Sequence, residues 1–324
     1  MLVGIGLAGV ILVFSFSKSN SPEAPNNAVK ENVATTFMVS GVTLPEEIEF
    51  AGERIPMEYF DIKEAMEREV LVNSYWHSQT ILLLKRAKRY FADIEPILKV
   101  NNIPDDFKFV ALAESGLMNV KSPAGAVGVW QFMPETAKDF GLEVNKEIDE
   151  RYNLEKATNA ACQFFKTSHS LFGNWTMAAA SYNCGSAGLG KQVQKQYSGN
   201  YYDLFLNEET SRYLFRIVSL KLILENPQKY GFNLNEADFY QPIPCKKVTV
   251  NYPVKDWALF AFEQGTNYKM LKMMNPWLRE GFLSNITKKT YTLKIPVAGF
   301  RDHDKELTKY TVDSIAKKSE EAKL

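Results

Sequence analysis

One carboxylate stands apart in this chain. Glu114 ends the run Phe107-Lys108-Phe109-Val110-Ala111-Leu112-Ala113-Glu114, which is apolar nearly all round and reads as a buried helix. Helical spacing places Glu114 on the face of Phe107, Val110 and Ala111. A carboxylate there is poorly hydrated, so its ionised form is disfavoured and its pKa should rise above the ordinary value of about 4.3. A carboxyl still protonated near neutral pH can act as a general acid. The same position also suits a Glu that only caps or pairs at a helix end, and periodicity alone does not separate the two. Other acids lie nearby, but Glu135 and Asp139 follow Pro134 and read as residues of a new helix's opening turns. His77, His169 and His303 form no ligand cluster, and Cys162, Cys184 and Cys245 lack zinc spacing, so no metal or cofactor is expected.

The elements around Glu114 are mostly helical. Apolar positions recur at helical spacing from Tyr59 to Lys99, and Asn101-Asn102-Ile103-Pro104 breaks that region. A Pro/Gly-rich loop runs from Ser122 to Gly128, and Pro134 and Gly141 bracket a short helix. Asn153 and Asn174 are placed as N-caps of two further helices, and a long helix is expected from about Glu209 to Glu225, where Asn226-Pro227 stops it. After Pro242-Ile243-Pro244 the pattern changes. Lys246–Tyr252 and Thr290–Ile295 read as strands, with short helices at Asp256–Glu263 and Asn267–Met274 between them.

With 38 Lys+Arg against 38 Asp+Glu, the chain lacks the basic excess of a nucleic-acid binder, and no nucleic-acid partner is expected. An apolar content of 45% excludes intrinsic disorder. A length of 324 residues predicts two domains with chain to spare. Leu2 to Phe14 is apolar or Gly throughout, and Ser15-Phe16-Ser17 is a small-x-small site. Residues 1–17 are therefore expected to be a signal peptide or membrane anchor, with residues 2–16 offering inner-membrane association; the other reading is a buried helix. The domains expected are a linker at 18–58, a helical domain at 59–241, a small module at 245–297 and a charged tail at 298–324.

Four motifs connect these elements to a known family. Glu114-Ser115 is followed by Ser122-Pro123-Ala124-Gly125-Ala126, then by Gly128-Val129-Trp130-Gln131-Phe132-Met133-Pro134. Ser181-Tyr182-Asn183-Cys184-Gly185 and Glu209-Thr210-Ser211-Arg212-Tyr213-Leu214 come later in the chain. In order and spacing, these resemble the motifs of the lytic transglycosylases of the soluble-lytic-transglycosylase family, nearest to the D-type membrane-bound murein enzymes. The resemblance covers about residues 60 to 297. It implies a mainly α architecture: a lysozyme-like helical catalytic domain followed by a small βααβ module resembling LysM, which in relatives binds N-acetylglucosamine-containing glycans.

By that resemblance, Glu114 is the sole catalytic acid/base and Ser122 hydrogen-bonds near its carboxylate or the substrate's N-acetyl group. Gln131 and Met133 line the cleft, Tyr182 and Asn183 line the reaction subsite, and the Tyr213 phenol approaches Glu114. Each of these has a plainer reading. Tyr213 shares a helical stripe with Ile217, Leu220 and Leu224, while Gln131, Asn183 and Ser122 are types that satisfy loop and turn backbone. Trp130 and Ser181 depart from the family's usual residues; Trp130 either narrows the cleft or anchors the loop in the core.

The implied reaction is cleavage of the MurNAc-GlcNAc β-1,4 bond of peptidoglycan with formation of 1,6-anhydro-MurNAc, by a monomer in the periplasm or cell envelope. Two rivals are a hydrolytic muramidase of goose-lysozyme type and a non-catalytic peptidoglycan-binding protein. In the module, Leu271-Lys272-Met273-Met274-Asn275-Pro276 and the closing Tyr291–Pro296 match LysM, whereas Val254-Lys255-Asp256-Trp257 diverges from its usual opening. A module that only braces the catalytic domain is the alternative to one that binds glycan.

Overall fold

In the computed structural model, which describes residues 41–297, Glu114 lies in the last turn of α3 (Lys108–Ser115). Phe109, Val110, Ala111 and Leu112 of that helix are buried, and the helix ends at Gly116 with φ +60°, a left-handed value that stops it one residue beyond Ser115. A longer helix, α8 (Glu208–Glu225), packs across α3 and against α1 (Phe60–Tyr75). It buries Tyr213, Leu214, Ile217 and Val218. On the other flank, α2 (His77–Val100) rests on α5 (Leu154–Phe172), and α5 pairs with α6 (Trp175–Cys184). Between α3 and α5 run the motif loop and the short α4 (Pro134–Asp139); α7 (Ser186–Gln196) follows α6.

Local rules account for most of these boundaries. The side chains of Asn153, Asn174 and Asn207 accept hydrogen bonds from the N–H groups of Lys156, Met177 and Thr210, so α5, α6 and α8 open on Asn caps. The centre is aromatic: Phe107 and Phe165 lie 4.3 Å apart by ring centroid, and Trp130 meets the edge of Phe165 at 5.9 Å.

The periodic stretch from Tyr59 to Lys99 forms two helices, joined at Trp76. One expectation changes. The linker at 18–58 is too long. Glu49–Phe50 (β1) and Glu53–Arg54 (β2) pair as a hairpin, and Ile48, Phe50 and Ile55 are buried in the main core. The Glu53 carboxylate caps the start of α6, accepting from the N–H groups of Trp175 and Thr176 at 2.6 and 2.8 Å. A hairpin of two-residue strands is below the length at which alternation becomes legible, so its burial showed only in three dimensions.

The C-terminal module keeps the expected strand–helix–helix–strand order. β3 (Cys245–Val250) and β4 (Tyr291–Pro296) are antiparallel, pairing Val248 with Leu293 and Val250 with Tyr291. α9 (Trp257–Glu263) and α10 (Tyr268–Met274) cover one face. Asn275, 1% exposed, ties α10 to β4: its Nδ2 donates to the Lys294 carbonyl, and its Oδ1 accepts from the Lys294 N–H, both at 2.8 Å. Among the described residues no helix is long and apolar enough to cross a membrane. The expected signal or anchor at 1–17 and the charged tail at 298–324 lie outside the described residues.

Candidate active site

The Glu114 side chain leaves the end of α3 where α8 and α6 converge. Burial pushes its carboxyl up from the ordinary 4.5 to about 7; the Tyr213 hydroxyl and the Arg216 guanidinium pull the other way, and Glu209 adds to the rise. Tyr213 is 2% exposed, so its ring is core, as the stripe with Ile217 and Leu220 required, while its hydroxyl donates to Glu114 Oε1. The ring is thus core, and the hydroxyl alone reaches the carboxyl. That phenol is itself pushed far above its ordinary value, chiefly by burial and then by the neighbouring Glu114, so it stays protonated and remains a donor.

The loop after α3 is fastened at many points. Ser115 Oγ donates to the Val129 carbonyl at 2.8 Å, and the Tyr182 hydroxyl donates to the Trp130 carbonyl at 2.6 Å. Trp130 is fully buried, with Nε1 donating to Thr158 Oγ1 at 2.9 Å, so it anchors the loop in the core rather than narrowing the cleft. Leu117 and Gln131 are held at φ +59° and +50°, a left-handed backbone that non-glycine residues rarely adopt. Strain of this kind persists only where surrounding contacts fix the chain, as they do here.

The other residues singled out in the sequence divide by what their polar atoms already touch. Ser122 closes the loop's own turn, its Oγ accepting from the Ala126 N–H at 3.0 Å. Gln131 Nε2 donates to the Val120 and Gly128 carbonyls at 3.1 and 2.7 Å, so its NH2 serves the loop. Met133 is 42% exposed at the start of α4. Tyr182 is packed among Phe132, Phe164 and Phe165, so its ring belongs to the wall. Asn183 Oδ1 accepts from Thr210 Oγ1 at 2.8 Å, and its Nδ2 donates to Glu209 Oε1 at 3.1 Å.

Glu209 and Arg216 act on Glu114 and were not among the residues singled out. The signal was present: 209, 213 and 216 follow the i, i+4, i+7 spacing of one helical face, so the stripe carrying Tyr213 toward Glu114 carries both charges with it. Replacing Tyr213 by Phe should remove a hydrogen bond that favours the ionised carboxylate. The Glu114 titration is then expected to move further up, shifting the alkaline limb of a pH–rate profile toward higher pH. A downward shift would contradict this geometry.

Comparison with known proteins places two matches on the chain. Residues 94–205 match the transglycosylase SLT domain, and residues 246–299 match the soluble lytic transglycosylase C-terminal LysM-like domain. The membrane-bound lytic murein transglycosylase D of Escherichia coli is 27% identical over 289 residues, covering 83% of this chain and 62% of the relative. This chain therefore spans less than two thirds of that relative's length. A protein of Alteromonas sp. named for tributyltin chloride resistance is 30% identical over 122 residues, covering 37% of this chain and 59% of the relative. Among solved structures, an inactive mutant of the lytic transglycosylase Slt of Pseudomonas aeruginosa matches at 20% identity with a TM-score of 0.35, over 47% of this chain and 26% of that one.

Proposed function

We propose, from a chain that joins a transglycosylase SLT domain to a LysM-like domain of the same family's C-terminal type, that it cleaves peptidoglycan glycan strands as a lytic transglycosylase. The observation that carries the reading is Glu114, a carboxyl whose pKa burial raises to about 7 and which is hydrogen-bonded by a buried phenol. A carboxyl raised so far toward neutrality can still hold its proton there, which suits a residue that must first give one and then take one. As acid, Glu114 protonates the oxygen of the departing sugar. Assistance from the substrate's own N-acetyl carbonyl replaces an enzymatic nucleophile. As base, Glu114 then takes the proton of the C6 hydroxyl, and closure of the 1,6-anhydro ring consumes no water. The half-exposed Met133 and the carbonyl oxygen of Gln131 are the loop's contributions to the sugar-facing surface. Work at the cell envelope, in line with the membrane-bound relative's name, belongs to the same proposal.

One observation favours a second reading. Glu209 lies within electrostatic reach of Glu114, and a second carboxylate is what a water-using muramidase needs. Its Oε1 accepts from Asn183 Nδ2, which argues for a structural or subsite role instead. Mass spectrometry of digested peptidoglycan decides the matter. Anhydro-MurNAc ends are expected; reducing ends would establish hydrolysis, and the absence of any cleavage would leave a binding protein.

A further inference from the structure

The segment between α4 and α5, residues 143–152, is held by both domains. Toward the C-terminal module, Ile148 is 1% exposed and sits in the apolar cluster of Val250, Trp257, Leu271 and Leu293. It pairs with Leu278 in a β-bridge, the Asp149 N–H donates to the Trp277 carbonyl at 2.9 Å, and the Arg279 N–H donates to the Glu147 carbonyl at 2.8 Å. The Glu147 carboxylate accepts from the N–H and hydroxyl of Ser284 at 2.7 and 2.6 Å. The module's core is thus completed by a residue of the helical domain.

Toward the motif loop, the same segment presents Arg151, which is 7% exposed. Its Nε and Nη2 donate to the two oxygens of Asp149 at 2.9 and 2.7 Å. Its Nη1 donates to the carbonyls of Gly125 and Phe132, each at 3.2 Å, so one guanidinium clasps both arms of the loop. A buried ion pair is a weak source of net stability, and apolar residues of the same volume would often serve as well. The planar fork instead supplies direction: with two donors held by Asp149, the third has one orientation, and it faces the loop.

We propose that residues 143–152 are a strap through which the LysM-like module sets the position of the loop at 120–132, with Arg151 as a positioning residue for the chemistry at Glu114. The loop is tied to Glu114 by the Ser115–Val129 bond, so a shift of its backbone displaces the sugar-facing surface relative to the acid. The kinetic part of this inference rests on the transglycosylase reading; the structural part does not.

Arg151→Lys keeps the charge but has a single nitrogen, which cannot meet Asp149 and two loop carbonyls together. Amides of residues 120–132 in R151K are expected to exchange hydrogen about tenfold faster than in the wild type while α8 keeps its protection. On soluble peptidoglycan fragments kcat should fall about 100-fold, with KM changed less than about threefold. Ile148→Ala leaves Arg151 in place and loosens only the tie to the module. It should accelerate exchange of the same loop amides. Hydrogen exchange needs no turnover, so a wild type without activity would refute the transglycosylase reading and leave the strap open to measurement. Wild-type exchange at the loop in I148A, or loosening spread evenly over the helical domain in both variants, would overturn the strap.

Discussion

Glu114→Gln is expected to lower the rate of glycan cleavage by roughly 10²–10⁴-fold, the range that general acid–base catalysis contributes. It should also make the protein more stable in alkaline solution. Gln keeps an oxygen that accepts from Tyr213 and fills the same volume, so the two effects separate chemistry from folding. The sign follows from proton binding. The unfolded chain releases the Glu114 proton near the ordinary 4.5 and the folded protein near 7, so between these values the folded state holds more protons. Stability therefore falls as pH rises through that window, and the cost is fully present above about 7, where it amounts to at most about 3 kcal/mol. E114Q is freed of that cost. Its advantage in denaturant titration should be largest above pH 7 and vanish below about 4.5. Equal stability at both ends would mean that the carboxylate is solvated. The wild-type rate should fall on the alkaline side as the acid form is lost around pH 7.

The second large effect concerns a position with no side chain. At Gly128, φ is +83° and a Cβ would lie 2.0 Å from the Arg151 carbonyl oxygen, closer than any contact a backbone accepts. Gly128→Ala must therefore push the loop and the strap apart. We expect a stability loss of more than about 3 kcal/mol, made of the left-handed backbone penalty and the steric conflict, and a fall in rate of roughly 100-fold. Gly125→Ala is the matched comparison: φ there is +93°, yet nothing lies within 4 Å of its Cβ position. It should incur the backbone penalty alone, about 1–2 kcal/mol. Denaturation curves showing equal losses for the two variants would place the close approach of Gly128 in doubt.

With 38 charges of each sign, the protein has no net field to draw a polymer in. Its interior spends aromatic residues on scaffolding: Trp130, Phe165 and Tyr182 form the wall behind the loop, and Trp277 stacks on Tyr291 inside the module at 5.8 Å. Trp277 and Tyr291 are 3% and 6% exposed, so neither offers an open face on which a sugar ring could stack.

The candidate residues and the elements that carry them were legible from sequence, and most of their hydrogen-bond partners were not. Glu114 on an apolar helix, Asn caps at 153 and 174, a strand–helix–helix–strand module and four ordered motifs all follow from patterns that repeat within a few residues. Local spacing is sufficient there because helix faces and caps are decided by the nearest neighbours in the chain. It was insufficient wherever a polar atom had several partners within reach. Only the folded chain turned Gln131 Nε2 inward to Val120 and Gly128 and committed Ser122 Oγ to Ala126. The same holds for Ile48, Phe50 and Ile55, whose apolar character was visible but whose burial required a core made by distant helices. The tertiary structure also decided that residues 143–152 join two domains, since Ile148 finds its apolar cluster more than 100 residues further along the chain. Sequence by itself determined which groups could do chemistry; packing decided which of them meet, because burial and hydrogen-bond pairing are set by residues far apart in the chain.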